Sequence, residues 1–178
     1  AYALLESYIA GAKDALIGIR HAHALSLRAF PWLGMGLLAS TTLAEGLHRL
    51  IELDPLIWDG IDIALILPQA PHAEAALIMK PHLPMPPAVI ELALAGRVLL
   101  GPVLWQIQDG SHRLAFQHHA RAPEDEYQQV FGCPVSFKAE ANAVYFPSIW
   151  LDQRLRFSDP SAGAIILKEA RRLLADPI

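Results

Sequence analysis

The stretch from Val130 to Pro147 leaves this chain the fewest conformational choices. Gly132 and Pro134 end whatever precedes them, one by its freedom to leave helical dihedrals, the other by its missing N–H. Beyond them Val135 and Phe137, then Val144 and Phe146, alternate with Ser136, Lys138 and Tyr145, the two-residue period of strands that bury one face. Ala139 to Asn142 supply a turn, so the pattern predicts a hairpin. Ahead of the break, Glu124 to Phe131 carries acids in its first turn and sets Tyr127, Val130 and Phe131 on one side, which predicts a short helix.

Earlier segments supply helices and two more strands. Ala1 to Ala15 reads as a helix with Leu4, Leu5, Tyr8, Ile9 and Ala12 on one stripe. Leu16 to Leu27 is ambiguous: on a strand His21 and His23 would face one way and could ligate a metal with His118, His119 or an acid. No spaced Cys or His set completes such a site, and ordinary polar or partly buried histidines account for the pair. Phe30 to Gly36 is a bulky apolar loop that either packs on the core or lines a cavity. Ser40 to Leu53 reads as a helix that ends before Pro55, with Thr42 and Glu45 spaced as a capping box and Leu43, Leu47, Leu50 and Ile51 at helical intervals. Ile61 to Leu67 and Ala73 to Met79 read as paired strands joined by a turn containing Pro68 and Pro71.

Pro86 and Pro87 open the most apolar helix, expected from about Ala88 to Gln108. A membrane span is the rival reading, but Glu91 and Arg97 would each cost about 2.5 to 3.5 kcal/mol near its centre, and Pro102 interrupts the run. Arg113 to His119 then reads as a strand with Leu114, Phe116 and His118 on one face. Ser148 is expected to cap a short helix through about Phe157. Ser161 to Ala175 reads as a final helix whose Ile165, Ile166, Leu173 and Leu174 pack on the domain or on a partner. The whole is an α+β fold, a single domain with a mainly antiparallel sheet of about five strands and helices packed on it.

Composition narrows the function. Hydrophobic residues make up 53% and charged ones 18%, so a rich apolar interior or interface is expected. The net charge of -4, with 14 Lys and Arg scattered along the chain, gives no support for direct nucleic-acid binding. Cys133 is the single cysteine, which rules out an internal disulfide, fits a reducing cytoplasm and suits a packed structural thiol. There is no Gly-rich phosphate loop, Gly-x-Ser-x-Gly elbow, His-Glu-x-x-His or paired carboxylate. The residues therefore nominate no catalytic group, cofactor or metal, and point away from an enzyme.

Two separated blocks carry a family resemblance. Phe131 to Phe137, Ala139 to Ala143, Phe146-Pro147 and Leu151-Asp152 resemble the end of the effector-binding domain in one branch of the AraC/XylS transcriptional regulators. Leu25 to Phe30, Leu33 to Leu38 and Ser40 to Leu47 are similar to that branch's sequence before its first long helix. The resemblance implies a bacterial, cytoplasmic, ligand-sensing domain able to form a homodimer, with a small-molecule effector as its partner and no membrane contact. In the family, DNA is read by a helix-turn-helix pair after the sensor; this chain ends at Ile178 without it, both ends read as cut from something longer, and the helix over 161–175 would lead towards the missing part. The order of elements does not read as the jelly roll of the arabinose sensor that names the family. A haem or metal sensor and an uncharacterised small-molecule enzyme are the alternatives.

One side chain suggests the effector's chemistry. Arg97 has Ala93, Leu94, Leu100 and Gly101 at helical neighbour spacing, so it lacks an acid on its own helix. It either reaches solvent, meets an acid from another element, or faces a cavity shared with Trp32, Met35, Trp105 and His118. In that cavity a guanidinium would pair with the head group of an acidic, largely apolar ligand.

Overall fold

The structure, a computed structural model, describes residues 7–8, 11–12, 14–24, 39–56, 60–70, 73–99, 110–155 and 158–175. Ten elements organise them: helices α1 (Ile17–Ala24) and α2 (Leu43–Leu53), strands β1 (Ile61–Ile66) and β2 (Glu74–Pro81), helix α3 (Pro87–Leu99), strand β3 (Arg113–Ala115), helix α4 (Glu124–Phe131), strands β4 (Val135–Ser136) and β5 (Asn142–Pro147), and helix α5 (Pro160–Ala175). Short 3-10 turns follow α2 at Asp54–Leu56 and β5 at Ser148–Asp152.

Local chemistry sets the helix ends. Thr42 holds extended dihedrals and its Oγ1 accepts from the Glu45 N–H at 3.3 Å, while Glu45 Oε2 accepts from the Thr41 N–H at 2.7 Å, so the expected capping box forms. Leu43, Leu47, Leu50 and Leu53 of that helix are buried, each removing apolar surface worth about 1.5 to 3 kcal/mol. At the far end of α4, Gly132 takes φ 66° and its N–H donates to the Gln128 carbonyl at 2.9 Å, a left-handed cap that glycine adopts without Cβ strain. In the short helix after β5, Pro147 and not Ser148 holds the capping position; the Ser148 N–H donates to the Ala73 carbonyl at 3.2 Å.

The sheet has five strands in the order β1-β2-β5-β3-β4. Three of its pairings are antiparallel and β3 with β4 is parallel. The expected hairpin is therefore corrected: β3 lies between β4 and β5. Alternation assigns faces and leaves partners open. Here the 113–118 segment claims the backbone on both sides, with Leu114 N–H to Pro134 O, Phe116 N–H to Ser136 O, and Lys138 N–H to His118 O, at 2.9, 2.9 and 3.0 Å. Lys138, at φ 55°, then turns the chain away so that β5 can approach from the other side. The faces follow the expectation: Val135, Val144 and Phe146 are buried and Ser136 is exposed.

Helix α3 is apolar almost all round and buried over most of its length, as a central helix should be. Its start crosses α1 so closely that a Cβ on Gly18 would stand 2.2 Å from the Ala88 carbonyl oxygen. The α1 segment settles the ambiguous region as helix. His21 is exposed there and its Nδ1 bonds the Ile17 carbonyl at 3.0 Å, so the strand needed for a His21–His23 ligand pair is not formed. On α5, Leu167 and Ala170 pack against Ala39 and Leu53, and Leu174 lies partly buried beside them. Ile165 is 75% exposed and does not pack on this domain. Cys133 is buried, and burial pushes its thiol up to about 11, as suits a structural cysteine.

Candidate functional site

Helix α3 carries one acid and one base, Glu91 and Arg97. Six residues of helix separate their directions by about 120°, so each meets a different set of neighbours.

Glu91 is 0% exposed. Its Oε1 accepts from the Tyr127 hydroxyl at 2.7 Å, and Arg121 Nη1 lies 3.3 Å from Oε2. Burial pushes the carboxyl up to about 7 against the opposing pull of the Tyr127 hydrogen bond and the Arg121 charge. Burial, then the hydrogen bond to Glu91, likewise raises the Tyr127 phenol. His118 Nε2 stands 3.7 Å from Glu91 Oε1, too far for a hydrogen bond. His118 Nδ1 donates to the His119 carbonyl at 2.8 Å, because a carbonyl can only accept. Nε2 is thus a lone-pair acceptor, buried and without a hydrogen-bond partner among the described residues. Burial depresses the His118 pKa, which disfavours charge on the ring. The ring packs 5.0 Å from Phe116 and 5.7 Å from Phe137, centroid to centroid.

The other side of this histidine belongs to a pocket of about 200 Å³. The end of β2 gives it Pro81, the loop from β2 to α3 gives Pro84 and Met85, and α3 adds Pro87 and Ile90. Its remaining wall is Gln117, His118 and Asn142. The two amides lock together: the Gln117 N–H donates to Asn142 Oδ1 at 3.0 Å, Asn142 Nδ2 to Gln117 Oε1 at 2.8 Å, and Gln117 Nε2 to the Glu140 carbonyl at 2.9 Å. Sequence position alone would not have gathered these residues, which come from five separate segments. Among the described residues, none that lines the pocket carries a formal charge.

Arg97 lies elsewhere. It is 5% exposed, and its Nη2 donates to Oδ1 of the buried Asp54, in the turn after α2. Its Nη1 donates to the Ala93 carbonyl at 2.6 Å and contacts Met79 Sδ at 3.8 Å. The acid from another element that sequence allowed is therefore present. Arg97 and His118 are not brought together; Trp32, Met35 and Trp105 lie outside the described residues. The sequence reading missed Glu91, Arg121, Gln117 and Asn142 as site neighbours. One signal was legible: a carboxylate inside so apolar a helix must find partners, and Tyr127 faces inward from α4.

No group of three or more His, Cys, Asp or Glu side chains among the described residues is arranged to hold a metal ion. No helix among them is long and apolar enough to cross a membrane.

Comparison with known proteins adds two findings. The sequence profile of the arabinose-binding domain of AraC transcription regulators, an N-terminal domain, matches residues 1–155. The fold is similar to that in the crystal structure of the transcriptional regulator CdpR from Pseudomonas aeruginosa, with a TM-score of 0.77 and 17% identity over 93% of this chain and 54% of that one. The chain thus spans about half the length of that regulator. A search of curated proteins gives no match.

Proposed function

We propose, from the premise that the chain belongs to the arabinose-binding N-terminal domain family of AraC transcription regulators, that it senses a small, largely apolar effector and passes its occupancy to a DNA-binding part. The observation that carries this reading is the pocket beside His118, a ring that also stands against a buried acid whose partners lie on two segments, α4 and 117–121. Sensing needs a ligand that binds one arrangement of the domain more tightly than another; a tenfold preference is worth about 1.4 kcal/mol. The pocket and the Glu91 cluster share His118, and the pocket residue Ile90 is the chain neighbour of Glu91, so a ligand against that wall adjoins the contacts that hold α4 and the 117–121 segment on α3.

For an acidic effector, the head group would take the place of Asp54 on Arg97. The net charge of -4 supports leaving DNA contact to a helix-turn-helix part outside this chain, and a homodimer would place two such parts together. A cytoplasmic setting fits the single buried cysteine.

Native mass spectrometry of the freshly purified chain tests the reading. A stoichiometric small molecule, released on denaturation, is expected. Bound haem or a stoichiometric metal in its place would transfer the case to the rival sensor reading.

A further inference from the structure

The class of ligand that the His118 pocket takes follows from its walls, given that the domain senses a small effector. The pocket opens to solvent past the exposed Pro84 and Gln117, so an ion placed there would keep part of its hydration, but it would give up the rest with no counter-charge on the lining to meet it. Glu91 and Arg121, the charged groups that face His118, are already paired with each other. The imidazole turns its buried Nε2 toward Glu91, 3.7 Å away, and not toward solvent.

What remains is apolar and flat. Pro81, Pro84, Pro87, Met85 and Ile90 present hydrocarbon, and the imidazole adds a ring face. At about 200 Å³ the space is somewhat larger than a cavity of about 150 Å³ known to hold benzene. It is smaller than the pockets of about 300 to 1,000 Å³ that take drug-sized ligands. Prolines bring no N–H, so the donors at this site are the amides of Gln117 and Asn142. Each of these –NH2 groups has a second N–H beyond the one it uses, Gln117 on the Glu140 carbonyl and Asn142 on Gln117 Oε1.

We propose that this pocket binds an uncharged molecule the size of one substituted ring, whose carbonyl or hydroxyl oxygen accepts from the Gln117 or Asn142 amide while its ring lies against the imidazole and the prolines. A polar neutral ligand uses both features. A hydrocarbon of the same shape leaves the amides unanswered, and an acid or amine of the same shape sets a partly desolvated charge against walls that carry no counter-charge.

Five ring probes separate these cases: benzamide, benzyl alcohol, toluene, benzoate and benzylammonium, each titrated into the ¹⁵N-labelled chain at pH 7. Benzamide and benzyl alcohol are expected to shift the side-chain amide signals of Gln117 and Asn142 and to bind about tenfold more tightly than the other three. Gln117→Leu should remove that advantage over toluene. Met85→Trp, which adds bulk to the pocket wall, should weaken every probe. Benzoate or benzylammonium binding as tightly as benzamide, or benzamide saturating elsewhere in the protein, would overturn the proposal. An effector recovered from the native protein that shifts Arg97 and leaves the pocket signals unmoved would overturn it too, while the ligand-sensing reading would stand. A chain that takes benzamide at the pocket yet answers no cellular compound would instead count against ligand sensing.

Discussion

Arg97 and Asp54 face each other inside the protein, 43 residues apart in the chain, and both are almost fully buried. Burial dominates both groups: it raises the Asp54 carboxyl and lowers the Arg97 guanidinium, against the attraction between them. Asp54 Oδ2 and Arg97 Nε have no hydrogen-bond partner among the described residues, so the pair is held by a single strong contact. Such pairs add little net stability, but leaving one charge alone is costly.

Arg97→Met should therefore destabilise the domain by about 3 to 5 kcal/mol, because it strands the Asp54 carboxylate. The double variant Asp54→Leu, Arg97→Met should recover most of that loss. Urea unfolding of the three proteins measures it. A single variant as stable as the wild type would show that Arg97 has no structural role and would favour its use by an acidic ligand.

Glu91 gives the protein a pH dependence with a definite sign. Its folded pKa of about 7 lies above the ordinary 4.5, so the folded state holds the proton more tightly than the unfolded one. Its contribution is complete below pH 4.5 and is lost as pH rises through 7, a difference of about 3 kcal/mol. Glu91→Gln retains an acceptor for the Tyr127 hydroxyl and cannot titrate. Its stability should lack the fall that the parent shows between pH 5 and 7.5 in parallel chemical denaturation series. Identical slopes for the two proteins would contradict the assignment.

The close crossing of α1 and α3 predicts that Gly18→Ala costs about 1 to 3 kcal/mol, since the new methyl meets backbone and not a flexible side chain. The comparison to make is Gly11→Ala, where nothing lies within 4 Å of the added Cβ. A midpoint shift of the same size in both variants would show that the clash is relieved by movement of α1.

Much of the fold was legible because it rests on local rules. The Thr42–Glu45 box, the Glu124–Phe131 helix with its Gly132 stop, and the paired strands around the Pro68–Pro71 turn need only neighbouring residues to specify them. The insertion of β3 between β4 and β5 was not legible, because period-two alternation fixes which side chains face inward without naming the strand alongside. On α5, apolarity nominates Ile165 to pack on the domain or on a partner; within this domain the buried stripe runs through Leu167 and Ala170 and leaves Ile165 exposed. Small residues reach where a larger one cannot: a Cβ on Gly163 would overlap Ala39. The site was the least legible part. His118 could be named as a candidate, but Glu91 and Tyr127 meet across 36 residues, and Gln117 and Asn142 across 25. Arg97 was noticed for lacking an acid on its own helix, and the acid came from a turn that no spacing rule connects to it.

Thermal unfolding of this chain against a broad panel of cellular small molecules tests ligand sensing most directly. A true effector at about a hundred times its Kd should add about 2.7 kcal/mol, which raises the midpoint of a domain this size by roughly 5 to 10 °C, with a logarithmic dependence on dose. Met85→Trp should abolish that response if the effector sits in the His118 pocket. A panel in which no compound shifts the midpoint in a dose-dependent way, with protein confirmed folded, would contradict the claim that this domain is a small-molecule sensor.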